Sequence, residues 1–454
     1  MTAKVSTDSL SSMCKRGAKV GSVREKSRAL MICGRASARA REFTALALLI
    51  VFWAISFVGP AFGQYTLTTL ASFGGLDGEY PNAGPLLSPS GTTLYGTTAG
   101  GGAYNVAVGT VYSVPVTGGT PTVLEDNEDD PMGLTAGLFA VATGGGENSQ
   151  GQIFEVSPHS LTPNILGAFD LVVNGSGPVS LSLSGSTLYG EAVGGGSGEI
   201  FSIPVSGGTP NVVASFSGTN GYRPIGGLTQ SGAALYGTTY WGGASYGQGP
   251  TGFGYGEVFS VPTAGGAPTV LASFNSMNGA NPQTTLILSG STLYGTTEGG
   301  GAYGDGEVFS LPLTGGTPTV LASFDGANGE SPIGNLVLSG DTLYGTTFSG
   351  GTDNDGTVFS VPITGGILTD LVSFNGPNGQ NPSGGVTLSQ DGGTLYGTTE
   401  LGGAGYGSDG NDDQGEGTVF AVSTTAVPEP ISLPILILSA AALTTRRRHT
   451  RNTC

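Results

Sequence analysis

The chain has 454 residues, among them 83 Gly and 26 Pro, with 10% charged and 38% hydrophobic residues. A disordered chain of this glycine content would be more charged and less apolar, so the glycines read as turns between short strands. Ten of the fifteen Lys and Arg precede residue 44 and four follow residue 445, leaving Arg223 as the one base against 29 acids over residues 64–430. Such a surface repels phosphate backbones and excludes nucleic acid as a partner.

In chain order, a basic leader containing Arg39 and Arg41 comes first, followed by an apolar run over residues 44–58 and then Ala61-Phe62-Gly63. This is the pattern of a secretory signal, with signal peptidase expected to cut before Gln64. The alternative is a permanent N-terminal membrane helix. The leader is long for a signal, and Met31 would give one of ordinary length, so translation is expected to start at Met31. The expected plan is a leader and signal over 1–63, a repeat domain over 64–426 and a tail over 427–454. Cys14, Cys33 and Cys454 all fall outside the repeat domain, which therefore has no disulfide and no thiolate metal site.

The repeat domain is built from one unit. Leu-Tyr-Gly-Thr-Thr stands at residues 94–98, 235–239, 293–297, 343–347 and 395–399, a variant at 188–192 and a weaker copy at 138–142. The aromatics of these seven copies are 44 to 58 residues apart. One full unit reads Leu286-Ile287-Leu288, Thr292–Thr297, Glu307-Val308-Phe309-Ser310-Leu311 and Thr319–Phe324, four strand-like pieces punctuated by Gly, Pro and Asn. Nothing in the domain keeps a helical period.

Four strands in about fifty residues is the size of a propeller blade. Thr66–Phe73 matches a fourth piece and Gly417–Val422 a third, so the first strand is expected to complete the last blade. The expected fold is therefore all-β, a seven-bladed β-propeller of four-stranded blades closed by its N-terminal strand. An open β-solenoid is the alternative. Strand order is expected to run from the axis outward, with tight hairpins on one face and the longer connections on the other. The glycines of the repeated string are expected to permit close approach where sheets crowd, and its tyrosines to pack between blades. Through this string, the Gly-Gly after it and Gly-[Thr/Glu]-Val-Phe, residues 66–422 resemble the tandem GloVer repeat of bacterial secreted proteins. That resemblance brings no biochemical activity with it.

Function is expected in what differs between blades. From the second Thr of the string to the following Phe is 12 steps for Thr297 to Phe309, but 20 for Thr239 to Phe259 and 21 for Thr399 to Phe420. The first enlarged loop carries Tyr240, Trp241, Tyr246, Phe253 and Tyr255. With Arg223 these are the candidate ligand-binding residues, since uncharged aromatic loops suit stacking on sugar rings. The alternative is that they cover a blade. The second holds Asp409, Asn411, Asp413 and Glu416; with Asp353 and Asp355 of the preceding blade it is a candidate Ca²⁺ site through oxygen ligands. The alternative there is a solvated acidic loop.

Catalytic chemistry is thinly supplied. A carboxylate-binding arginine cluster is absent, and His159 is the one histidine between the termini. A glycoside hydrolase using two carboxylates and acting on extracellular polysaccharide is the enzymatic alternative.

At the C-terminus, Val427-Pro428-Glu429-Pro430 precedes apolar Ile431 to Leu443 and then Arg446-Arg447-Arg448. Thirteen residues reach about 20 Å as a helix, short of a hydrocarbon core of about 30 Å, so the stretch suits transient rather than permanent membrane contact. The order of these three parts resembles the PEP-CTERM sorting signal, the alternative being an ordinary tail anchor. The resemblance implies recognition by an exosortase, loss of the tail and delivery to the cell surface or extracellular matrix of a Gram-negative-type bacterium. The sequence thus leads to a non-catalytic surface propeller with a binding or structural role and polysaccharide or surface proteins as partners.

Overall fold

The computed structural model describes residues 65–424 apart from 103–108, 127–129, 146–148, 159, 248–251 and 408–414. The expected signal peptide and sorting tail lie outside the described residues. The described chain forms seven separate antiparallel sheets with one short 3-10 turn at Gly243–Ser245. Together they make a seven-bladed β-propeller. Blade five shows the plan: Ile287–Ser289, Thr292–Thr297, Glu307–Pro312 and Thr319–Ser323 are hydrogen-bonded in that order. The innermost strands of all seven blades line an axial cavity of about 540 Å³. In blades one and four the innermost strand is split into two short pieces against the same neighbour.

Because each blade is covered on both sides, its inner strands are apolar on both faces. Val308 faces forward and joins a cluster with Leu343 and Phe359 of blade six, whereas Phe309 faces back towards Val258 and Phe274 of blade four. The repeated tyrosines behave as expected: Tyr294 packs on blade six and Tyr396 on blade one. The glycines serve a different purpose from the one expected. Gly295 is the cross-strand partner of Phe309, and a Cβ there would stand 2.8 Å from the Phe309 ring. The glycine is therefore set by a ring of its own blade, not by crowding between sheets. That ring in turn meets Phe274 of the preceding blade edge-on at 5.2 Å. Equivalent aromatic pairs stand at Phe216–Phe259, Phe324–Phe359 and Phe374–Phe420.

A second contact recurs around the ring. Each blade has one proline just before or early in its innermost strand: Pro81, Pro131, Pro178, Pro224, Pro282, Pro332 and Pro382. Its ring lies on the glycine that precedes the third strand of the blade before. A Cβ on Gly306 would stand 2.6 Å from Pro332 Cδ, on Gly256 2.7 Å from Pro282, and on Gly417 2.5 Å from Pro81. The residue before each proline is left-handed, with φ between 54° and 59°. Proline normally drives its predecessor to extended backbone, so these positions are strained by about 1–3 kcal/mol each where the residue is not glycine. The turn aims the N–H at the neighbouring blade: Tyr80 donates to the Glu416 carbonyl at 3.1 Å, Arg223 to Ser197 at 2.8 Å, Asn281 to Tyr255 at 2.9 Å and Asn381 to Asp355 at 2.9 Å. On the opposite face the hairpin glycine of a blade reaches back to the outer strand before it, as in Gly316 N–H to the Leu271 carbonyl at 3.0 Å.

The ring closes as the sequence leads one to expect. Leu67–Ser72 is the outer strand of blade seven, antiparallel to Thr418–Ser423, with Leu67 opposite Val422 and Thr69 opposite Phe420. Closure hides the two edges that an open array would expose. Across this seam Phe73 meets Tyr112 of blade one edge-on at 4.8 Å. Phe73→Ala is expected to cost about 3–5 kcal/mol in equilibrium denaturation. Phe324→Ala at an internal interface should cost as much; a much smaller loss at Phe73 would mean that the seam is loose.

Candidate ligand-binding face

Two sets of loops share one face: those from outer strand to the next innermost strand, and those from second to third strand. Among the described residues, ten of the fourteen exposed large apolar side chains stand in these loops or at their ends, including Leu76, Val172, Tyr246, Phe253, Met277 and Tyr303. This face therefore carries most of the exposed apolar side chains among the described residues.

Blade four carries the densest cluster. Its second strand runs Ala234–Trp241 and ends, like the eight-residue second strand Thr93–Gly100 of blade one, beside the start of the innermost strand, which puts Tyr240 and Trp241 at the loop face. Register places Trp241 directly opposite Tyr222, with ring centroids 5.8 Å apart. Phe253 folds back from the enlarged loop and stacks on Trp241 at 5.1 Å with the planes 25° apart, while lying 5.6 Å from Tyr222. The Arg223 guanidinium carbon sits 5.6 Å from the Tyr240 centroid and 5.4 Å from the Trp241 centroid. Cation–π contact at such an exposed site is worth about 0.5–1 kcal/mol. Burial, then the hydrogen bond to Glu298 and its charge, push the Tyr240 phenol up to about 12, and Arg223 opposes this. Glu298 also accepts from Gln283 Nε2 at 3.1 Å, which anchors Tyr240 to the next blade.

Of the residues that the sequence singles out, Arg223, Tyr240, Trp241 and Phe253 come together. Tyr246 and Tyr255 do not belong to the cluster. The Tyr246 ring lies over Gly218, where a Cβ would stand 2.6 Å from it, and Tyr406 covers Gly376 of the seventh blade in the same way. Tyr255 packs on the core between blades four and five, its N–H donating to Ser245 Oγ at 3.0 Å. Tyr222 escaped the sequence reading because it stands on a different loop from the other aromatics. Only the strand register joins it to them.

For the calcium candidates, Asp409, Asn411 and Asp413 lie outside the described residues. Asp355 and Glu416 occupy matching positions, and each presents its carbonyl to the next blade through the proline contact described above. Burial, followed by the charge of Asp353, raises the Asp355 carboxyl above its ordinary value. Among the described residues no three His, Cys, Asp or Glu cluster as a metal site would require.

Sequence reasoning also missed the buried acids. Glu257 opens the third strand of blade four beneath the enlarged loop, fully buried, with neither carboxylate oxygen hydrogen-bonded. Glu191 is equally buried but accepts from the Gly227 N–H at 2.7 Å and the Ser180 hydroxyl at 3.1 Å. Burial raises both, Glu191 to about 7 against the opposing pull of its two hydrogen bonds and Glu257 to about 8.

Residues 246–429 match the family model of the Gloeobacter/Verrucomicrobia repeat, in accord with the repeat resemblance read from the sequence. A comparison with curated proteins finds no match. Similar solved structures include a putative TolB from Agrobacterium tumefaciens, at 13% identity and TM-score 0.39 over 67% of this chain and 94% of that one. A PQQ-bound aldose sugar dehydrogenase from Streptomyces coelicolor is similar at 14% identity and TM-score 0.45, over 80% of this chain and 99% of that one. A putative 6-phosphogluconolactonase from Bacteroides fragilis is similar at 17% identity and TM-score 0.45, over 70% of this chain and 88% of that one.

Glu257 yields a signed prediction. Its folded pKa lies above its ordinary 4.5, so the fold favours the neutral form. The associated stability is complete below about pH 4.5 and drains away as pH rises through about 8. Glu257→Gln should therefore melt several degrees above the parent at pH 9 and show no such gain at pH 4.5. A gain that is equal at both pH values would mean that the carboxyl does not titrate in this window.

Proposed function

We propose that the chain is a non-catalytic binding propeller that holds extracellular polysaccharide on the blade-four side of its loop face. The observation that carries this reading is the convergence of Tyr222, Trp241 and Phe253 with Arg223 at one place on the loop face. Flat, half-exposed rings suit the apolar faces of sugars, and a rigid ring of sheets holds them in place at little entropic cost. The Pro428-Glu429-Pro430 tail with Arg446, Arg447 and Arg448 supports an address at the cell surface or in the matrix, reached through signal peptidase and an exosortase.

Carboxylate-pair hydrolysis has less behind it. The two acids driven furthest towards neutrality, Glu191 and Glu257, are sealed inside the blades. A general acid must reach the glycosidic oxygen.

A glycan array probed with the full chain and with Trp241→Ala is the test. Wild-type protein should retain one polysaccharide class, and Trp241→Ala should weaken that binding about 10-fold, the scale of one stacked ring. Absence of any glycan bound by the wild type, or binding unaffected by the substitution, would refute the reading.

A further inference from the structure

Arg223 is the one Lys or Arg among residues 64–430, against 29 acids. Among the described residues its guanidinium makes no ion pair and no hydrogen bond; its contacts are the faces of Tyr240 and Trp241. The guanidinium carbon stands over both rings, and its N–H donors form a fork matched to a carboxylate.

Arg223 also occupies a costly position. It is the left-handed residue before Pro224, with φ 59°. Asp130, Gly177, Asn281, Ser331 and Asn381 fill that place in five other blades, with Tyr80 in the first. Asp, Asn and Gly take this conformation far more readily than a long side chain does. Asn281 and Asn381 further use it to bond the preceding blade, through Tyr240 and Phe348 carbonyls at 2.9 and 3.0 Å. Arginine here lacks that side-chain contact, while its N–H still donates to the Ser197 carbonyl of the preceding blade at 2.8 Å, so its side chain is left to the loop face.

We propose that the ligand class is an acidic polysaccharide, a uronic-acid residue placing its carboxylate on the Arg223 edge and its ring against Tyr222 and Phe253. This rests on the glycan-binding reading of the face and sharpens it. The acidic domain as a whole repels a polyanion, but at 0.15 M salt that repulsion fades beyond about 8 Å. The contact at Arg223 lies inside this range.

The test is calorimetric titration of the full chain at 0.15 M salt with tri-galacturonate and with its methyl ester. The acid should bind and the ester should bind at least 10-fold more weakly. Arg223→Gln should weaken the acid roughly 10- to 100-fold, down to the level at which the ester binds. Arg223→Asn should abolish the preference for the acid with a melting temperature equal to or above the parent's, because asparagine relieves the strain. Equal binding of acid and ester would overturn the carboxylate assignment while leaving sugar binding by the face intact. Loss of binding with a lowered melting temperature in Arg223→Asn would make Arg223 structural and overturn the assignment too. Failure of both probes would overturn it as well, and the Trp241→Ala glycan screen separately decides whether the face binds sugar.

Discussion

Each interface in the ring rests on a proline seated on a bare glycine of the blade before, and at six of the seven, among the described residues, a left-handed residue directs its N–H across the gap. Any side chain on Gly306 or Gly417 would collide with Pro332 or Pro81. Strain of about 1–3 kcal/mol at each non-glycine site persists because packing on both sides over-determines it. Edge-to-face aromatic pairs deepen the same interfaces: Phe274 against Phe309, Phe324 against Phe359, and Phe73 against Tyr112 at the seam. A propeller has no central core shared by all its sheets. Its stability is therefore a sum over such interfaces, and it holds only if the last is made as well as the others.

Much of this was legible in the sequence, and for a physical reason. A blade buried on both faces must repeat its apolar residues, so Leu-Tyr-Gly-Thr-Thr and Val-Phe mark the strands wherever they occur. The fourth-strand character of Thr66–Phe73 sufficed to foresee closure. The proline contact was not legible, because the residue before proline varies from Gly177 to Arg223 and its sign of φ is written nowhere. Loop composition likewise grouped Tyr246 and Tyr255 with Trp241, though one caps a turn and the other packs into the core. Tyr222 was invisible for the converse reason: its partnership with Trp241 exists only in the register. Asp355 and Glu416 drew attention as carboxylates but contribute their carbonyls to the ring.

Charge is also less simple than the formula. Glu257, with a pKa of about 8, is neutral in the fold near pH 7, so the formal count overstates the field felt at the surface. Arg223 stands over the Tyr240 and Trp241 rings, and its guanidinium meets no carboxylate among the described residues. The same loop that seals Glu257 beneath Gly243 carries Phe253 onto Trp241.

Hydrogen exchange read by mass spectrometry tests the closed ring most directly. If the first strand is locked into the last blade, amides of residues 67–72 should open with the same free energy as those of the third strand of blade six, Thr357–Pro362. Exchange of 67–72 within seconds, beside slow exchange in Thr357–Pro362, would show an open array and contradict the account.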